Sequence, residues 1–559
     1  MNKKTIALIV IILIVVGGVF GGLYVTRNLG KSEKTVNAQS ASEKLDSMVS
    51  KIAPTAKTPR KGTVTFVDGD TTYQELPDLK DDSIAVRETT DLFAEIFSSS
   101  EKTSGGLDGY LREMATAFNK SGAQVNGKPV SIRLRTVSSG QQVDYVASGK
   151  YVPDAISPSS SFSVKMLNAK GVQTENADDS LVSNYAGFVV NKATYSVLTE
   201  EYGAATAKTL AQATADGKIT TGYTNPFTSA TGMNFLVTLL DSYASGNILS
   251  DTAIAGFTAF QANVPFVAMT TMQMRTAAEK GTFDAFVMEY QAYVNDANLS
   301  KNYQFIPYGY IHDNPLAMIA SSDSERQEIV RAFAAYCEEN GAQLAKKDGF
   351  NTEPKGYEPM QKEYSGDELI AVQKLYKENK DNTPVICVFV ADVSGSMTGE
   401  PLNMLKDSLN NSMQYINEEN YIGLVSYANE VFIELPIAPF DLNQQSYFKG
   451  AVDALSANGG TATFDAICVA MQMVRDKKAE IGDAKSMIIV LSDGETNQGA
   501  ALSDIEDIVS GLQMPVYTIG YNANIDALQA IANINEGLCI NADTDDIVYQ
   551  LKQLFNANM

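Results

Sequence analysis

Hydrophobic residues are spread along this chain in three different patterns. The first is unbroken: Ile6 to Val25 carries no charge and follows Lys3 and Lys4, close to the ~20 apolar residues a helix needs to cross a bilayer. The nearest small-residue cleavage candidate, Val36 to Ala38, lies well downstream, and no cysteine near the run offers a lipid attachment point. Residues 1–28 therefore read as a cytoplasmic tip and an uncleaved transmembrane signal anchor. The second pattern, over residues 29–88, is hardly periodic. It is rich in Ser, Thr, Lys and Asp with Pro54 and Pro59, which predicts a stalk or linker.

The third pattern alternates between the strand and helix periods. Over residues 89–358, Leu92 to Phe97 and Val130 to Arg135 read as strands, and Leu107, Leu111, Met114, Ala115 and Phe118 fall at helical spacing. Such alternation indicates α/β layering. Over 359–382 the spacing of Leu369, Val372 and Tyr376 predicts an amphipathic linker helix that docks the flanking domains on each other. From 383 to 559 the signal is cleanest. Apolar runs at Val385–Ala391, Tyr421–Ser426, Ser486–Leu491 and Val516–Ile519 are the mark of parallel strands buried on both faces. Helical stretches at Leu402–Ile416, Gln445–Leu455, Ala462–Lys478, Ser503–Leu512 and Asp526–Ile534 separate them. The fold class is α/β, with a doubly wound parallel sheet at the C-terminus.

Composition narrows the chemistry. With 43 Lys+Arg against 66 Asp+Glu, the net charge is −23, a surface that repels phosphate backbones, so nucleic acid is not an expected partner. One histidine and four cysteines in 559 residues leave no room for zinc catalysis or a thiolate cluster. His312 reads as a loop or packing residue. Cys387, Cys468 and Cys539 fall inside predicted elements and read as buried thiols, with a Cys468–Cys539 bridge left open.

Ligands in a doubly wound sheet gather beyond the C-terminal ends of its strands. There the chain places Asp392-Val-Ser394-Gly-Ser396, Ser492-Asp493-Gly, and Gly459-Gly-Thr461 at a helix start. Each fragment alone is an ordinary turn or cap. Together they bring two carboxylates and three hydroxyls to one crevice, hard oxygens suited to Mg²⁺, or to Mn²⁺ or Ca²⁺. Residues 384–555 resemble the von Willebrand factor A-type (VWA) family with a complete metal-ion-dependent adhesion site. The resemblance implies direct metal ligation by Ser394, Ser396 and Thr461, water-mediated ligation by Asp392 and Asp493, and an Asp or Glu from a protein partner completing the coordination. A strand-end Asp beside Mg²⁺ also occurs in haloacid-dehalogenase-like phosphatases. Those place a second Asp two residues on as general acid, where this chain has Ser394, so an enzyme is not expected.

The middle region carries Ser98 to Lys102, Val137 to Gly140, Pro153 to Ser159, Gly222 to Gly232 and Phe283 to Tyr290. On these segments it resembles type 2 bacterial extracellular solute-binding proteins, which implies two α/β lobes with a ligand in the cleft. Hydroxyls and backbone amides at strand ends and helix starts suit a small polar or anionic ligand, with Ser98, Ser99, Ser139, Gly140, Thr228, Ser229 and Thr231 as candidates. The expectation is a single-pass membrane protein, mostly extracellular, whose metal site captures a protein partner beside a solute-binding-like domain. The alternatives are a solute receptor of an ABC-type transporter with the C-terminal domain as assembly handle, and a metal-dependent hydrolase.

Overall fold

The computed structural model describes residues 37–559 apart from 65–75, 77–78, 80–82, 245, 265, 269–273, 275–282, 355–356, 380–382, 495, 522–525, 533–538, 542–546, 548–550, 552–553 and 556–559. The apolar run at residues 6–25 lies outside these. Among the described residues no helix is long and apolar enough to cross a membrane.

The segment expected as a stalk begins instead with folded structure. Helix α1 (Ala38–Ile52) starts where Asn37 Oδ1 accepts the Ser40 amide at 2.8 Å, and stops at Ala53, whose φ is 50°. Ala41, Leu45 and Val49, spaced by four, are buried, and this stripe lies against helices of the C-terminal domain. Strand β1 (Thr55–Ala56) then pairs with that domain's sheet. The helix is too polar on average to stand out, yet its one apolar stripe finds an apolar surface far away in sequence.

The middle region folds as two lobes. The first has strands β2 (Ile84–Val86), β3 (Phe93–Ser98), β4 (Ser131–Thr136), β5 (Ala155–Ser157) and β6 (Thr174–Asp178), with helix α2 (Ser139–Ser148) after β4 and α3 (Ser161–Ala169) after β5. The second has β7 (Asn184–Asn191), β8 (Thr221–Thr224), helices α4 (Ala230–Tyr243) and α5 (Asp251–Gln261), then β9 (Phe266–Ala268), β10 (Ala285–Glu289) and β11 (Tyr303–His312). Strand β12 (Leu316–Ile319) returns to the first lobe, and the chain crosses once more before Tyr364, so it passes between the lobes three times. The sheet orders are β2-β4-β3-β5-β12-β6 and β9-β8-β10-β7-β11.

Helix α6 (Gly366–Asn379) was expected to dock the domains on each other. It belongs to the two-lobed domain instead. Leu369, Val372, Leu375 and Tyr376 enter the second-lobe core, where the Tyr376 ring lies 5.9 Å from Phe257 and 6.0 Å from Phe227. Its first residue touches the other lobe: a Cβ on Gly366 would sit 2.1 Å from the Lys165 carbonyl oxygen of α3. The apolar stripe thus straps the two lobes together.

The C-terminal sheet uses β13 (Val385–Asp392), β14 (Tyr421–Tyr427), β15 (Val431–Pro439), β16 (Lys485–Ser492), β17 (Val516–Gly520) and β18 (Cys539–Asn541), in the order β1-β15-β14-β13-β16-β17-β18. All pairs are parallel except β14 with β15. The sequence reading had no strand at β15, whose register slips twice against β14. Helices α7 (Leu442–Ala454), α8 (Thr463–Ile481) and α9 (Leu502–Leu512) cover the sheet. Helix α1 rests on α8 and α9: Arg475 donates to Asp46 at 2.7 Å, Lys44 pairs with Asp507, and Cys468 Sγ lies 3.2 Å from Met48 Sδ. Cys468 is a free thiol, so the Cys468–Cys539 bridge does not form.

Candidate metal centre and interlobe cleft

Strand register builds the first site. Ala391 pairs with Leu491 and Asp392 with Tyr427, so the residues leaving β13 and β16 emerge side by side at the C-terminal edge. The 3-10 turn Gly395–Met397 brings Ser396 back towards Ser394, and their hydroxyl oxygens lie 3.0 Å apart. The third loop is stitched to the first by backbone bonds, from Gly395 to the Gly459 carbonyl at 2.9 Å and from Asn458 to the Val393 carbonyl at 2.7 Å. Gly459 has φ +80°, a conformation other residues enter only at a cost. Asn497 Oδ1 accepts the Thr461 amide at 2.9 Å. All five predicted residues therefore come to one edge of the sheet, with Ser396 exposed and Asp392, Ser394, Thr461 and Asp493 buried.

The electrostatics of this edge ask for a cation. Asp392 is fully buried; Oδ1 accepts the Ser394 amide at 2.8 Å, and Oδ2 accepts the hydroxyls of Ser492 at 2.6 Å and Tyr427 at 3.2 Å. Burial pushes its carboxyl above the usual carboxylate range. The Ser492 and Ser394 bonds pull it back, and the nearby charge of Asp493 adds to the upward push. Asp493 Oδ1 is buried and accepts no hydrogen bond. An orphaned carboxylate oxygen beside a second carboxylate is costly unless positive charge balances it. The donor set fits a hard divalent ion, and three hydroxyls make up for a carboxylate count of only two. Among the described residues no group of three or more His, Cys, Asp or Glu gathers for a metal, at this edge or elsewhere.

The second site lies between the lobes. A cavity of about 20 Å³ is lined by Ser99, Ser139, Thr228 and Ser229 from the predicted set, joined by Glu101, Ser159 and Glu289. Gly140 sits beside it, at a neighbouring cavity of about 30 Å³ that shares Thr228, Ser229 and Ala230. Ser98 and Thr231 do not line the first cavity; Ser98 is buried in β3, and Thr231 donates to Glu289 Oε1 at 3.0 Å. The lobes touch directly here, since the Gly140 amide donates to the Thr228 carbonyl at 3.2 Å.

Sequence reasoning missed the charged residues of this cleft. Glu101 accepts the hydroxyls of Ser99 and, at 2.6 Å, Ser159. Lys102 is wholly buried, and its ammonium donates to the carbonyls of Ser157 and Pro158 at 3.0 and 3.1 Å and to Asn314 Oδ1 at 2.9 Å. Burial pushes this amine down to about 8, against the pull of Glu101, Glu289 and Asp313. His312 is buried, as a packing residue would be, but its Nδ1 lies 3.0 Å from Glu289 Oε1. The available signal was an acid ending an otherwise apolar strand, Ala285–Glu289.

Comparison with known proteins agrees with both folds. The von Willebrand factor type A domain family matches residues 387–557, and the bacterial extracellular solute-binding protein family matches residues 103–351. Inter-alpha-trypsin inhibitor heavy chain H3 of Bos taurus is 28% identical over 169 residues, covering 28% of this chain and 18% of that protein. An uncharacterized protein of Synechocystis sp. is 25% identical over 191 residues, covering 33% of this chain and 44% of that one. The chain thus spans less than half the length of these two relatives. Among solved structures, the sulfate-binding protein SubI from Mycobacterium tuberculosis is similar at 15% identity and a TM-score of 0.35, over 52% of this chain and 92% of its own.

Proposed function

We propose that this chain, which joins a VWA domain to a bacterial solute-binding domain, is a membrane-anchored extracellular binding protein. Its VWA domain holds Mg²⁺ (or Mn²⁺ or Ca²⁺) through Ser394, Ser396, Thr461, Asp392 and Asp493. Through that ion it captures a carboxylate of a partner protein. The observation that carries the reading is the buried, unbonded Asp493 Oδ1 beside Asp392 and the Ser394–Ser396 hydroxyl pair. Two carboxylates balance the charge of a divalent ion, but the five residues all belong to one face, the strand-end edge. An ion held from one side keeps coordination positions open to solvent. The exposure of Ser396 leaves that side accessible. Anchoring rests on the apolar run at residues 6–25. Both domains are of binding types.

Calorimetry on the full chain is expected to show Mg²⁺ or Mn²⁺ binding that Asp392→Ala abolishes. At about 100 times its dissociation constant, the ion stabilises the VWA domain by about 2.7 kcal/mol. Partner retention in a pull-down is expected to need the ion and to fall in Ser396→Ala, with the melting transition of that variant in chelator unchanged. Equal retention in excess chelator and by Ser396→Ala would rule the metal out as the contact.

A further inference from the structure

We infer that the interlobe cavity takes the ammonium head of a small primary amine, held against Glu289. This deepens the solute-binding reading of the middle domain and rests on it. It also reverses the anionic ligand that hydroxyls and helix starts suggest.

Glu289 closes one side of the cavity. The residue is 2% exposed. Its Oε1 takes the Thr231 hydroxyl and faces His312 Nδ1, both at 3.0 Å. Its Oε2 is buried and accepts no hydrogen bond, on a side chain that forms part of the cavity wall. The nearby fixed cation, Lys102, gives it no hydrogen bond. Lys102 already donates to three oxygens, Ser157 O, Pro158 O and Asn314 Oδ1, and an ammonium has only three donors. Three carboxylates, Glu101, Glu289 and Asp313, act on that one lysine, so the cleft carries surplus negative charge. An anion entering it would meet repulsion at close range in a water-poor site.

Size and donor chemistry then select among cations. A cavity of about 20 Å³ holds one water-sized group, and an ammonium is of that size. A divalent metal wants six or more oxygens and commonly several carboxylates. Here both hydroxyls that Glu101 accepts, from Ser99 and Ser159, fall on its Oε1, and among the described residues of the cavity wall Glu289 Oε2 is the one buried carboxylate oxygen that lacks a hydrogen bond. One such oxygen with hydroxyl lone pairs around it matches the three N–H donors of a monovalent head. The adjoining cavity of about 30 Å³, walled by Phe162, Met166, Phe227 and Met233, suits a short alkyl chain attached to that head.

Calorimetric titration of the full chain tests this, in chelator so that the VWA metal takes no part. Ethylammonium chloride and sodium sulfate serve as probes at matched ionic strength. Saturable ethylammonium binding and none of sulfate is the expected result. Glu289→Gln should weaken it roughly 10- to 100-fold, the worth of a buried charge-assisted bond. If that variant does not melt cooperatively, Glu289→Asp, which keeps the charge but withdraws it by one methylene, should still weaken it several-fold. Saturable sulfate binding, no saturable ethylammonium binding by the unaltered chain, or undiminished affinity in the folded variants would overturn the assignment. None of these outcomes touches metal-dependent partner capture, whose failure would equally leave the cleft result standing.

Discussion

The segment 383–559 prepared alone is expected to melt roughly 10 °C below the same segment supplied with residues 37–62, on the usual scaling of about 2–4 °C per kcal/mol for a domain of this size. The size follows from burial. Leu45 and Val49 are 0% and 4% exposed, and each buried side chain of this kind contributes about 1.5–3 kcal/mol. Without α1 the faces of α8 and α9 beneath them meet water. The belt continues past the helix. β1 extends the sheet edge at Phe432 and Ile433, and Gly62 exchanges hydrogen bonds of 2.7 Å with Ser446. A Cβ on Gly450 would lie 1.9 Å from the Arg60 carbonyl oxygen, so chain and helix are in close contact there. Thermal unfolding of 383–559 with and without a 37–62 peptide measures the effect. Identical transitions would show that the belt contributes nothing. The topological consequence is that the two-lobed domain, roughly 84–379, is inserted between two parts of the VWA domain. A force or tether acting at residue 37 therefore reaches the VWA domain first, not a free stalk.

What could be read from the sequence divides along physical lines. The central VWA strands announced themselves because burial on both faces forces an unbroken apolar run, as in Val385–Asp392 with every residue buried. The five proposed metal ligands could be placed because each follows such a run or starts a helix, so finding the strand ends locates them. Strand β15 escaped because its outer side pairs only with the two-residue β1 and its positions are a mixture of buried and exposed. Helix α1 escaped because what stabilises it is some 430 residues away, as the Arg475–Asp46 contact illustrates. Glu101 and Glu289 escaped for another reason. An acid at an element boundary is most often a solvated cap, and only the closing of one lobe on the other turns these two into buried charges facing a common space. Pattern predicts which face of an element is covered, but the second lobe covering it is a long-range fact.

Gly140→Ala is expected to hold the two lobes apart. The glycine lies in α2, where alanine is the better helix former by roughly 1 kcal/mol, so the substitution favours the local structure. Across the interface, however, its Cβ would fall 1.7 Å from the Phe227 carbonyl oxygen, 2.7 Å from that carbonyl carbon and 2.9 Å from Thr228 Cα. All three are backbone atoms and cannot rotate aside. Ordinary contact requires a retreat of about 2 Å, which breaks the bond from the Gly140 amide to the Thr228 carbonyl. It also pulls on the bond from Gln373 of the strap helix to the Pro226 carbonyl at 2.9 Å. Amide exchange at residues 138–142 and 227–230 should then rise at least ~10-fold, because backbone groups sealed by lobe contact become open to solvent. Small-angle scattering should register a larger radius of gyration. Gly105→Ala is the matched control, since a Cβ there meets nothing within 4 Å. Because Ser139, Thr228 and Ser229 belong to the same closing surface, the opened variant should also release any amine held in the cavity. If Gly140→Ala leaves exchange and radius as they are in the Gly105→Ala chain, the closed cleft is not maintained by this backbone contact, and α6 alone would have to hold the lobes.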